Sequence, residues 1–143
     1  MTESVPEPRK VVIAARPFEI VMTQISVERD LTPVMQVGLV FTMNTSNQTF
    51  TYETEDAWLD FESLDTFITD LGILARKEDG KAELATIDRG WKIELARVRQ
   101  AFIITLAATI QQAEIHTDLI SSFTLHDLHI LKTWYHHLSE FRR

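Results

Sequence analysis

Apolar and polar residues follow two different periods along this chain, and the switches between them mark its elements. KVVIAARPFEIVMTQISV, from Lys10 to Val27, is rich in β-branched residues and is interrupted by Pro17. Proline has no N–H to give to a strand ladder, so this stretch predicts an edge strand or two short strands. VMQVGLVFTMN and QTFTYETE flank NTSNQ, a cluster of turn formers, and predict a hairpin.

The period then changes. In LDFESLDTFITDLGILARKEDGK, Phe61, Leu64, Phe67, Ile68, Leu71, Leu74 and Ala75 fall on one helical arc of about 140°, with Glu62, Asp65, Thr66, Thr69 and Asp70 opposite. Asp60 is placed to cap this helix, and Asp60, Glu62 and Asp65 put negative charge near its first turn, where the helix dipole favours it. Gly72 weakens it by about 1 kcal/mol relative to alanine. The helix is expected to end near Lys77, with Gly80 closing it or the loop after it.

Period 2 returns in AELATI, the turn DRG and WKIELARV, where Trp91, Ile93 and Leu95 alternate with Lys92, Glu94 and Ala96. AFIITLAATI is apolar on both faces and reads as a central strand, and DLISSFTL as a last short one. A helix from about Leu125 to Phe141, capped by Thr124, closes the chain. Hairpins joining strands, with too few helices for crossovers, predict an α+β fold: a mainly antiparallel sheet of about six to seven strands with two amphipathic helices, one mid-chain and one C-terminal. Residues 1–10 are expected to be a flexible tail and 11–143 a single domain. TFTYETEDAWLDFESLDTFITDL and SFTLHDLHILKTWYHHL share a strand–turn–helix rhythm.

Composition narrows the chemistry. The 143 residues include no cysteine, which removes disulfides, thiol nucleophiles and cysteine-containing zinc sites. No apolar run approaches the ~18 residues of a membrane span, and MTESVPEPRK lacks the pattern of a signal peptide, so a cytoplasmic protein without a membrane partner is expected. The net charge of −7 is unevenly spread. Between Arg29 and Arg76 there is no lysine or arginine, but there are Asp30, Glu53, Glu55, Asp56, Asp60, Glu62, Asp65 and Asp70. Such a stretch repels a phosphate backbone and disfavours nucleic acid as a partner.

All five histidines lie between His116 and His137. On a helical wheel, His126, His129, Thr133, His136, His137 and Glu140 oppose an apolar arc of Leu128, Ile130, Leu131, Trp134, Tyr135, Leu138 and Phe141. His129 and His136 are separated by about 10.5 Å along a helix axis, too far for one ion to bind both at ~2 Å. Two pairs remain, His126 with His129 and His136 with Glu140, and neither completes a metal site alone. A solvated face is the simpler reading, and neither metal nor cofactor is expected. Ser121 and Ser122 lack a nucleophile elbow, the four glycines are too dispersed to cradle a phosphate, and no catalytic residue is assigned.

GKAELATIDRGWKIELARV, a further strand, and SSFTLHDLHILKTWYHHL follow the acidic, Phe/Leu-patterned FESLDTFITDLGIL. In this order the chain resembles small bacterial immunity-protein families, of the cell-wall-associated or contact-dependent toxin type, over residues 18–141. The resemblance implies a non-enzymatic protein that binds and blocks a partner. With it, the charge distribution predicts a basic protein partner engaged by an acidic surface of Glu53, Glu55, Asp56, Asp60, Glu62, Asp65 and Asp70. Two rival readings are an acidic chaperone or adaptor for a secreted or phage protein, and an enzyme whose site would need a pocket of convergent polar groups.

Overall fold

A computed structural model describes residues 2–4 and 9–143. Its elements run β1 (Thr2–Ser4), β2 (Lys10–Ala15), β3 (Phe18–Glu28), β4 (Val34–Asn44), β5 (Thr49–Asp60), α1 (Phe61–Leu74), β6 (Asp79–Ala85), β7 (Trp91–Val98), β8 (Ala101–Gln112), β9 (Ile115–Leu125) and α2 (His129–Arg142). The α+β class is as expected, but the strands make two antiparallel sheets, not one. In the first, β1 pairs with Ser26–Glu28 and β2 with Phe18–Thr23 along the same edge of β3, followed by β4 and β5. That sheet is therefore four strands wide. The second has the order β6-β7-β8-β9. Two helices are too few to cover one sheet of that total width, whereas two apolar faces can cover each other.

They do so through alternation. Ile20, Met22, Leu39 and Phe41 point inward from the first sheet, and Leu84, Trp91, Ile93, Leu95, Phe102, Ile104 and Leu106 from the second, all at most 2% exposed. Phe123 of β9 lies against the rings of Phe18 and Phe41, 4.8 and 6.2 Å between centroids, so the two inner faces share one core. Each sheet is followed by a helix, and the shared strand–turn–helix rhythm falls on the corresponding junctions, β5 into α1 and β9 into α2.

The helices close the open flanks. The α1 arc is buried as expected except at Ala75, which lies past the helix end and is half-buried. Asp60 caps it, accepting from the Ser63 N–H at 2.5 Å and the Ser63 hydroxyl at 2.9 Å. The helix stops at Leu74, before Lys77, and Gly80 lies within β6. Leu131, Trp134, Leu138 and Phe141 are the buried face of α2. That helix starts later than expected because β9 runs through Leu125; Thr124 is a strand residue and caps nothing, while the Asp127 carboxylate accepts the His129 N–H at 3.1 Å. Within the expected tail, Met1 and residues 5–8 lie outside the described residues, whereas Thr2–Ser4 forms β1.

Arg97 is 7% exposed on β7 and faces the core. Its Nη1 donates to the Leu74 carbonyl at the C-terminal end of α1, and its Nε donates to the Arg99 carbonyl at 2.8 Å. The helix end carries partial negative charge and orphan carbonyls, so it stabilises this buried cation. Arg97→Met removes both donors while keeping the apolar stem. We expect it to lower the unfolding free energy by about 2 kcal/mol, read as a shift of the urea midpoint; an unchanged midpoint would deny this role.

Candidate functional site

The site is set by two irregularities in the first sheet. Ile25 is an extra residue between the pairs Gln24↔Val37 and Ser26↔Gln36. On the other side of β4, Glu55 and Asp56 together face Gly38, between Thr54↔Leu39 and Ala57↔Val37. Each bulge reverses which residues of its strand point inward. Before the second one, Phe50, Tyr52 and Thr54 share the inner face with Met43, Phe41 and Leu39. After it, Ala57 and Leu59 are inward and buried, so Asp56, Trp58 and Asp60 are turned outward. Glu55 and Asp56 are both exposed, although neighbours in a regular strand would face opposite ways.

On that outer surface, the turn between β6 and β7 is fastened to the edge of β5 by the Ile87 N–H, which donates to the Trp58 carbonyl at 2.9 Å. This places Ile87, 56% exposed, between two open clefts. One, of about 770 Å³, is bordered by Asp60, Glu62, Glu83 and Arg89, with Leu31, Pro33 and Ile87 as its apolar wall. The other, of about 340 Å³, is bordered by Glu28, Asp56 and Asp88, with Val34, Trp58 and Ile87. Leu31 is fully exposed and has φ 58°, a left-handed conformation that costs a non-glycine residue energy. Acidic groups from β3, β5, α1, β6 and the β6–β7 turn thus surround a small apolar centre.

Comparison with known protein families, with curated proteins and with solved structures finds no match.

The structure divides the acidic residues singled out in the sequence. Asp56, Asp60 and Glu62 border the clefts. Asp60 is also committed to capping α1. Glu53 faces outward earlier on β5, opposite Val40, and Glu55 sits at the bulge, where its carbonyl accepts from Gln36 Nε2 at 3.1 Å. Asp65 belongs to a different cluster: it makes two hydrogen bonds to Arg142, from Nε at 2.7 Å and Nη2 at 3.2 Å. The Arg142 guanidinium lies 4.2 Å from the centre of the Phe61 ring, tying the start of α1 to the end of α2. Asp70 is half-buried and about 12 Å along the helix axis from Glu62.

The histidines are exposed. His126 precedes α2 and so does not share a helical face with His129. His136 and Glu140 are exposed on α2, with the His136 ring edge-on to Tyr135. His116 pairs with Asp118 on β9 at 3.1 Å. Among the described residues, no three histidine or carboxylate side chains are grouped to hold a metal ion, and no helix is long and apolar enough to cross a membrane.

Sequence reasoning passed over Leu31, Ile87, Glu28, Glu83 and Asp88 as site residues. For Leu31 a signal was present, a single apolar residue inside the turn RDLTP; Ile87 was read as the end of the strand AELATI, where period 2 sets it on the same face as Glu83.

Beside these clefts, the Tyr52 hydroxyl is held above the ordinary tyrosine range, chiefly by burial and secondly by the negative charge of Asp88. The folded chain therefore keeps this proton to higher pH than the unfolded chain does. The resulting stabilisation is complete below the unfolded value of ~10 and is lost as pH rises through the higher folded value. Urea denaturation at pH 9 and pH 11 should show an alkaline loss of stability that is smaller in Tyr52→Phe; equal losses in the two proteins would contradict the assignment.

Proposed function

We propose that this chain is a non-enzymatic, immunity-like binding protein that engages a basic protein partner through the two clefts around Ile87. The observation that carries this reading is the convergence of carboxylates from five chain segments on an apolar centre of the exposed Leu31 and Ile87 and the half-buried Trp58. Protein interfaces combine these features: an apolar anchor is desolvated at the centre, and charges on the rim steer and select the partner. A lysine- or arginine-bearing loop with an apolar residue between its charges would match both parts. This reading keeps Asp56, Asp60 and Glu62 of the acidic surface expected from the sequence and adds Glu28, Glu83 and Asp88. Asp65 lies outside the linings of the two clefts and pairs with Arg142.

The test is affinity capture from the source cells with the wild-type chain, with Asp56→Lys/Glu83→Lys, and with Asp70→Lys as a single charge reversal outside the clefts. The wild type and Asp70→Lys should retain the same basic protein. The double variant should lose it, with the association rate of the purified pair falling by at least about tenfold at low salt. Equal capture by all three proteins would contradict the proposal.

A further inference from the structure

The edges of the two sheets are treated unequally. The first sheet divides one edge between the short β1 and β2, and β2 packs against α2. Its other edge, β5, carries Glu53, Glu55 and Asp56 and gives the Trp58 carbonyl to the Ile87 N–H. In the second sheet, β6 carries Lys81 and Glu83 and packs against α1. These are ordinary ways of preventing an edge from pairing with another chain.

β9 has none of them. It is 11 residues long, contains no proline, lysine or arginine, and among the described residues pairs only with β8. Its two ionisable side chains, His116 and Asp118, are paired with each other. The β7–β8 pairing ends at Trp91↔Ala108, whereas β8–β9 continues to Gln112↔Ile115, so this hairpin stands out beyond the sheet. Ile115 and Ile120 are each 69% exposed on it.

We infer that a second copy of this chain covers this edge. Two β9 strands pair antiparallel about a twofold axis at Ile120, making one continuous sheet from the two β6–β9 sheets. The β9 sequence, IHTDLISSFTL, is self-complementary in that register. Ile120 meets its own copy on the outer face, and Ile115 meets Leu125 on the inner face. Asp118 lies opposite Ser122, and His116 opposite Thr124. An axis at Asp118 would set two carboxylates against each other, and an axis at Leu119 would set Ile120 against Asp118. Only the Ile120 axis gives both exposed isoleucines apolar partners with no like charges opposed. Each copy carries −7 overall, but the one carboxylate on this edge, Asp118, lies 3.1 Å from His116 and would face Ser122 of the other copy, so no like charges are opposed.

Sedimentation equilibrium of the wild-type chain should give twice the 16.5 kDa chain mass. Ile120→Lys puts two ammonium groups on the axis and should raise the dimer dissociation constant by at least about 100-fold, with the circular dichroism spectrum unchanged. Because the chain has no cysteine, Ile120→Cys gives a second, independent reading. Opposed strand positions lie within disulfide reach, so mild oxidation should link Ile120→Cys into a covalent dimer and leave Lys81→Cys, on the far edge, without a covalent cross-link. A monomeric wild type would overturn the proposal and leave the edge to a segment of another protein. So would an Ile120→Lys variant that remains dimeric, or cross-linking at position 120 no greater than at position 81.

Discussion

Strict side-to-side alternation in β-strands is the constraint on which this structure depends. Each sheet has one face in the core, so every strand must keep its apolar residues on one side along its whole length. The inward positions of the second sheet alternate without interruption: Trp91, Ile93, Leu95 and Arg97 of β7, and Phe102, Ile104, Leu106 and Ala108 of β8, are all buried. In the first sheet the alternation of β3 and β5 changes phase within the strand. A bulge absorbs each change, one on either side of Gln36–Gly38 in β4. The acidic surface follows from this. In a regular strand Asp56, Trp58 and Asp60 would share the side of Phe50 and Tyr52; the extra residue turns them out to where Ile87 and Glu83 meet them.

The same arrangement separates charges that the sequence runs together. Asp60 serves α1 as a cap, Asp65 is bound to Arg142 over the Phe61 ring, and Asp56, Glu62, Glu83 and Asp88 border the clefts. Proximity in sequence is thus a poor guide to which carboxylates act together. Glu83 and Asp88 join the cluster from a different sheet, while Asp70, on the same helix as Glu62, does not.

What could be read from the sequence was local. The α1 arc, its Asp60 cap, the apolar face of α2 and the hairpins around NTSNQ and DRG depend on neighbours a few residues away, and all are present. Gly72 read only as a weakness of α1; in the fold, a Cβ there would come within 3.1 Å of the Tyr135 ring, so the glycine makes room for α2. Partition into two sheets depends on which strands meet across α1, a long-range choice that alternation within strands does not encode. The length of β9 was hidden because its distal half is exposed and its polar residues look like a loop. The phase change in TFTYETEDAWLD, from Phe50 and Tyr52 to Ala57 and Leu59, is present in the sequence, but the strand was read only as far as Glu55 and the bulge was not expected.

Alternation governs this fold, and the β5 bulge exists to absorb a change of phase. Single-residue deletions test it most directly, with stability read by urea denaturation. Removing Glu55 lets Asp56 pair with Gly38 and leaves Ala57 and Leu59 inward, so the chain should fold with stability within about 1 kcal/mol of the wild type. Removing Glu94 from the unbulged β7 forces one half of that strand to turn its apolar residues outward, and the chain should not fold. Equal loss of stability in the two deletions would contradict the account.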